Sequence, residues 1–225
     1  MKKSNLFLIG LSIVVVAGMI LTNVNLKKEY QKIDLTNPHK NYVSVAAEAY
    51  SVLDISGSNG YPIEVRYQKT NDIKVLRSRL SHFKSIVKND TLFIEFTGSN
   101  ISMQQRFNSN TPPGIIVGKN KLSSIEIADT HNRVSGFSNQ DLKLVLKGNS
   151  YTEISDCNIN LLEVDMKNNS QIEFVTTNTA DSLDMTMRDK SIARMQEIHF
   201  QSLKHRLSDS VVVVLSKGVF KNILK

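Results

Sequence analysis

Tryptophan is absent from these 225 residues, and cysteine occurs once, as Cys157. A single thiol excludes an intramolecular disulfide and any cysteine-based zinc cluster, and it leaves the redox compartment open. Runs of like charge are absent too. The net charge is +7, but the 28 Lys and Arg residues are spread along the chain and interleaved with 21 Asp and Glu. No run of five basic residues builds the footprint of a nucleic-acid binder, so nucleic acid is set aside as a partner. The chain also lacks a Gly-x-Ser-x-Gly elbow, a phosphate-cradling glycine loop and a His-Glu-x-x-His helix. Beyond the N-terminus, no amphipathic pattern of three helical turns occurs.

What is present begins with a folded-protein composition, 40% hydrophobic and 22% charged, which predicts a packed core. Residues 6–21, LFLIGLSIVVVAGMIL, carry no charge. As a helix rising about 1.5 Å per residue they span roughly 24 Å, short of a ~30 Å hydrocarbon core unless residues 22–26 extend them. No small-x-small cleavage pair follows in Thr22, Asn23, Val24 and Asn25, which favours an uncleaved signal anchor over a cleaved secretory signal. Lys2 and Lys3 favour a cytoplasmic N-terminus, although Lys27, Lys28 and Lys32 follow on the far side. The expected organisation is a signal anchor over residues 1–28, a polar linker over 29–45 with an Asn37-Pro38 turn signal, and one β domain over 46–225.

Within that domain, short β-type runs are separated by Gly, Asn and Asp: SVLDIS, PIEVRYQ, DIKVL and TLFIEF. Residues 99–114, with Pro112-Pro113, read as a long loop. A repeat then begins. LKLVLKGNS (142–150) returns as LEVDMKNNS (162–170) and as LDMTMRDKS (183–191). Its apolar column runs through Ile127, Leu146, Met166, Met187 and Leu207, at steps of 19 to 21 residues. A turn residue follows each by two positions: Asp129, Gly148, Asn168, Asp189 and Asp209. A second strand follows each turn, marked by Ile154, Phe174, Met195 and finally VVVVL at 211–215.

Apolar residues at i, i+2 and i+4 of a strand point to one face, and a single coil of this size cannot bury that stripe. Stacked coils can. A period near twenty with turn residues in phase predicts an all-β chain folded as a β-solenoid, with about five regular coils in 122–225. A propeller blade needs about twice the period, and a β-sandwich has no reason to repeat its turns at a fixed step.

The stretches YSVLDISGSNGYPIEVRYQ (50–68), LSSIEIADTHNRVSG (122–136) and LKLVLKGNSYTEIS (142–155) resemble the putative auto-transporter adhesin, head GIN domain family of bacterial envelope proteins. The later corners depart from that family's glycine-rich pattern, with Asn168-Asn169 and Asp189-Lys190, and no Gly-Ile-Asn tripeptide occurs. The resemblance implies a right-handed parallel β-helix-like fold with no established activity.

Three features could carry chemistry. Asp189 and Asp209 share a column and carry a spacing that suits a cation such as calcium, yet Asp, Asn and Gly are also what a tight corner requires. His205 holds an inward position where other coils carry Leu144, Val164 and Met185. Cys157, with Thr177 and Ile198 as its expected column neighbours, reads as packing. No catalytic, cofactor-binding or metal residue is assigned, and no cofactor is expected. The resulting expectation is a non-catalytic envelope module that binds, adheres or serves structurally. It would be single-pass in the cell inner membrane with its C-terminal domain in the periplasm, or secreted after signal cleavage. Its partners would be the membrane through the helix, glycans, envelope proteins, or copies of itself. The alternative is a carbohydrate-active enzyme, a polysaccharide lyase or hydrolase, built on a β-helix.

Overall fold

The computed structural model describes residues 3–31, 37–57, 61–96, 111–216 and 218–219. Most of the loop expected over 99–114 lies outside these residues. The chain divides into two compact units, Met1–Asn41 and Tyr42–Lys225.

The first unit is built on one helix, α1 (Lys3–Gln31). Its segment Ile9–Gln31 contains an 18-residue window with a mean hydropathy of 2.0 that buries nothing within the protein. The helix runs past the uncharged stretch, so the extension through residues 22–26 that a membrane span needs is present. By length and composition it can cross a bilayer, and a signal sequence meets the same test.

Among the described residues, the second unit has seventeen strands and one short 3₁₀ helix, Arg77–His82. The strands are β1 (Tyr42–Val45), β2 (Val52–Ser56), β3 (Ile63–Tyr67), β4 (Asp72–Leu76), β5 (Phe83–Lys88), β6 (Thr91–Phe96), β7 (Ile115–Lys119), β8 (Ser124–Ala128) and β9 (His131–Ser135). They continue with β10 (Leu142–Lys147), β11 (Tyr151–Ser155), β12 (Asn158–Met166), β13 (Gln171–Phe174), β14 (Asn178–Met187), β15 (Ile192–Met195), β16 (Ile198–Leu207) and β17 (Val212–Leu215). One sheet has nine strands in the order β1-β4-β7-β3-β9-β11-β13-β15-β17, and the other has eight in the order β16-β14-β12-β10-β8-β2-β6-β5. Tyr42–Val45, read from sequence as the end of a linker, is a strand.

This arrangement corrects the expected β-solenoid. Both sheets are mixed: β1 with β4, β4 with β7, and β5 with β6 pair antiparallel, so the domain is not a parallel β-helix. The cause is local chemistry in residues 42–119, where the twenty-residue step does not operate. Asn89 (φ 50°) and Asp90 (φ 60°) form a two-residue connection between β5 and β6. A connection that short, with both residues left-handed, joins strands only as an antiparallel hairpin. Strands β2 and β3 then insert between later neighbours, so sheet order and chain order part company.

From β8 onward the columns read from the repeat are in register. Leu146 lies opposite Ile127 and Met166, and Met187 lies opposite Met166 and Leu207. In the other sheet Ile154 faces Phe174, and Met195 faces Leu215. Inward residues of both sheets join one continuous apolar core, in which Leu53, Ile55, Ile125, Leu144 and Leu146 are fully buried. Each such side chain contributes about 1.5–3 kcal/mol through burial.

The corners explain the last letters of the repeated sentence. Asp129, Gly148, Asn168 and Asp189 all take left-handed φ, between 55° and 63°, a region that Gly, Asn and Asp enter most readily. Ser150, Ser170 and Ser191 follow and are buried. Their carbonyls accept the N–H of Gln171, Ile192 and Val212 on the next strand, so each corner is tied to its successor through backbone.

Candidate functional site

The residues singled out from sequence do not converge. Asp189 adopts the left-handed corner conformation and stands beside Arg188, with 4.0 Å between Nε and its carboxylate. Asp209 is exposed on the next corner. Among the described residues, no group of three or more His, Cys, Asp and Glu is placed to hold a metal ion. Cys157 is buried and its Sγ donates to the Ser155 carbonyl at 3.3 Å. Burial pushes its thiol up to about 11. Its neighbour on the next coil is Asn178 rather than Thr177, because Asn158 pairs with Thr179, a step of twenty-one.

The outward faces of the sheets carry acids, and bases on adjoining strands engage them. On the eight-stranded sheet, Lys147 Nζ donates to Glu126 at 2.8 Å, Arg188 lies 3.6 Å from Asp165, and Arg206 donates to Asp184 at 3.2 Å. Each pair joins an acid on one strand to a base on or just beyond the next. The Glu126 bond is also the main cause that raises the Lys147 pKa. On the nine-stranded sheet, Arg133 Nε donates to Glu153 at 3.2 Å, and its Nη1 reaches the Thr111 carbonyl. Tyr151 donates to Glu173 at 2.6 Å.

His131 belongs to this second cluster, packed edge-on against the Tyr151 ring with 4.8 Å between centroids. Glu153, 4.0 Å away, favours a protonated imidazole. Burial, assisted by Arg133, outweighs it and lowers the His131 pKa to about 4. Lys119, also buried, lies over the Tyr50 ring face at 4.2 Å, which shelters its ammonium.

The ends of the sheets differ from their faces. At the C-terminal end, β16 and β17 close the two sheets, and among the described residues no strand pairs with their outer edges. Between them lies an apolar hollow of about 200 Å³, lined by Met185, Met195, Leu203, Leu207, Val213 and Leu215. His205 sits on its rim. It is in register with Met185, as expected for an inward column, but it is exposed, since among the described residues no strand pairs beyond β16 in its sheet. Val212 is 51% exposed. Outward on β16 stand Lys204 and Arg206, and neither β16 nor β17 contains an acid. This end therefore offers backbone donors and acceptors that no described strand engages, apolar side chains, and two outward bases, of which Arg206 also reaches Asp184. A reading of single motifs does not find it, since it depends on which strand is last in each sheet.

The fold has crystallographic counterparts. A putative adhesin from Parabacteroides distasonis ATCC 8503 superposes with a TM-score of 0.55 at 11% identity, covering 77% of this chain and 71% of that one. A putative adhesin from Bacteroides fragilis NCTC 9343 gives 0.52 at 12% identity, covering 79% and 94%. At such identities the likeness is one of fold. No family model matches the sequence, and no curated protein sequence does.

Proposed function

We propose that this protein is a non-catalytic, adhesin-like binding module, anchored through α1 and displayed outside the cytoplasmic membrane, that engages partner proteins through the open edge formed by β16 and β17. The observation that carries this reading is the combination found there: two sheet edges that no described strand pairs, an apolar hollow between them, and the bases Lys204 and Arg206 on a strand with no acid of its own, Arg206 reaching Asp184 on the strand behind. An edge strand binds an extended segment through main-chain hydrogen bonds, and alternate side chains select its sequence. The fitting occupant is a strand that alternates apolar residues, facing the hollow, with acids facing Lys204 and Arg206. Two copies of β16 meeting edge to edge would bring like charges together, which disfavours self-association here.

Engagement of Glu126, Asp165 and Asp184 by bases supports a binding role over glycan cleavage, since a glycosidase requires two carboxylates free to act as acid and base or nucleophile. The names of the two crystallographic neighbours agree with adhesion. Membership of the head GIN domain family is part of the same proposal, supported by the stretches at 50–68 and 122–155.

The test is fluorescence anisotropy of labelled peptides alternating valine with glutamate, titrated with the full chain in detergent, beside a glycan screen. Saturable binding is expected. The double change Lys204→Glu and Arg206→Glu should abolish it and transfer preference to valine-lysine peptides. Equal binding of both peptides by the unaltered chain, or capture of glycans alone, would overturn the edge as the site. Cytoplasmic protection of residues 42–225 from protease would overturn the display.

A further inference from the structure

The opposite end of the domain carries a second apolar surface of different construction. There the sheets end in β1 and β5, and a groove of about 590 Å³ opens between them, lined by Val45, Leu80, Phe83, Lys84, Ile86 and Phe93 among others. Ile86 is 64% exposed, the most exposed large apolar side chain described in residues 42–225. It stands opposite Phe93 on the hairpin partner, and both point away from the core. Side chains two apart on a strand share a face, so Lys84 and Lys88, also exposed, flank Ile86 on that same outward face. The 3₁₀ helix beside it adds Arg77 and Arg79. Residues 77–88, RSRLSHFKSIVK, hold four Lys and Arg, one His and no acid. Glu95, opposite Lys84, is the acid on the groove wall.

An exposed isoleucine and phenylalanine between lysines suit a lipid headgroup layer. There the apolar pair leaves water while the ammonium groups meet phosphate. The chain's own connectivity selects this occupant over a protein strand. Only eleven residue steps separate Gln31, the last residue of the apolar helix, from Tyr42 at the start of β1. A connection of that length spans at most about 40 Å, so the sheet end that carries β1 is tethered within that reach of α1. The C-terminal hollow differs on both counts. Its apolar residues continue the inward columns, and it lies at the far edge of both sheets.

We infer that the β5–β6 hairpin is a membrane-surface docking site, at which Ile86 and Phe93 insert among headgroups and Lys84 and Lys88 bind anionic lipid phosphates, giving the domain a second attachment beside its anchor. The inference rests on α1 residing in the bilayer, and the test separates the two. Because the chain has no tryptophan, Phe93→Trp places a single indole on the hairpin, and Val15→Trp, in a separate variant, places one within α1. Each full-length variant is reconstituted into vesicles of brominated phospholipid, with or without phosphatidylglycerol.

The indole at position 15 is expected to be quenched in both vesicles. The indole at position 93 should lose about half its emission in anionic vesicles and recover it when Lys84→Glu and Lys88→Glu are added. Ile86→Ser, a change at an exposed site, should weaken the quenching while far-UV circular dichroism stays unaltered. Quenching at 15 without quenching at 93 overturns the docking site and leaves the anchor standing; an acidic strand or a second copy seated on the hairpin gives this same result. Quenching at 93 that ignores the glutamate substitutions overturns it as well. No quenching at 15 removes the anchor on which the inference rests.

Discussion

The carboxylate of Asp129 occupies the space that a side chain at Gly148 would need. A Cβ on residue 148 would collide with the Asp129 side-chain oxygen, and Gly148 also has φ +63°. The same Asp129 oxygen accepts the N–H of Asn149 at 2.9 Å, so one corner caps the next.

Gly148→Ala should therefore cost somewhat more than the ~1 kcal/mol of a left-handed alanine alone, about 1–2 kcal/mol, because the exposed Asp129 carboxylate can swing aside only by giving up its hydrogen bond to Asn149. Asp129→Ala in the same chain should relieve the collision and return part of that loss, while losing the hydrogen bond to Asn149. A double-mutant cycle in urea denaturation measures the coupling. Strict additivity of the two changes would contradict the contact.

This corner marks how far the sequence could be read. Turn residues at steps near twenty disclosed the strand register from β8 to β17, because a column of Leu, Met and Ile is a direct record of side chains facing one core. The antiparallel strands were hidden because β4 and β5 are short apolar runs whose direction depends on connections. In the sequence the Asn89-Asp90 connection is one more Asn and Asp break between β-type runs, with nothing to show that it reverses the chain. The ends of the sheets were illegible for another reason. Exposure of Leu207, in an inward column, follows from β16 having no described strand beyond it, which no local pattern encodes. Likewise the shift from Thr177 to Asn178 beside Cys157 comes from one extra residue in one coil.

Asn178 is a second corner device. Its Oδ1 accepts the N–H of Cys157 at 3.1 Å, and its Nδ2 lies 3.0–3.2 Å from the carbonyls of Ile154, Val175, Thr176 and Glu197. Two amide protons serve four acceptors, so the bonds are shared. Asn178→Ala should destabilise by about 2–4 kcal/mol through buried groups left unsatisfied. Asn178→Asp should be worse at neutral pH, because a carboxylate would face those carbonyls. Thermal unfolding of the three chains gives the order, and an aspartate variant as stable as the parent would refute it.

His131 should make stability depend on pH in a defined window. Its folded pKa, about 4, lies below the ordinary 6.5 because burial disfavours the cation. Between these values the unfolded chain binds the proton and the folded chain does not, so stability rises with pH across the window. The contribution is complete above about 6.5 and is lost as pH falls toward 4. Acids titrate at the lower end too, so the comparison needed is with His131→Gln. That variant should show a flatter dependence of Tm between pH 6.5 and 4. Parallel curves would show that His131 titrates alike in both states.

Cys157 should be chemically silent in the folded chain. It is 4% exposed, and burial raises its thiol to about 11, which leaves a thiolate share of about one in a thousand at pH 8, before access is considered. Native protein at pH 8 should react with Ellman's reagent at least ~100-fold more slowly than a free thiol, with full stoichiometry recovered in denaturant. Because Sγ donates to the Ser155 carbonyl, Cys157→Ser keeps a donor in place, and Cys157→Ala leaves that carbonyl one partner poorer and adds a small cavity. The alanine variant should then be the less stable of the two by about 1 kcal/mol. Fast labelling of the native thiol would place Cys157 at a site that opens to solvent, and the wall between β11 and β12 would have to be reconsidered as mobile.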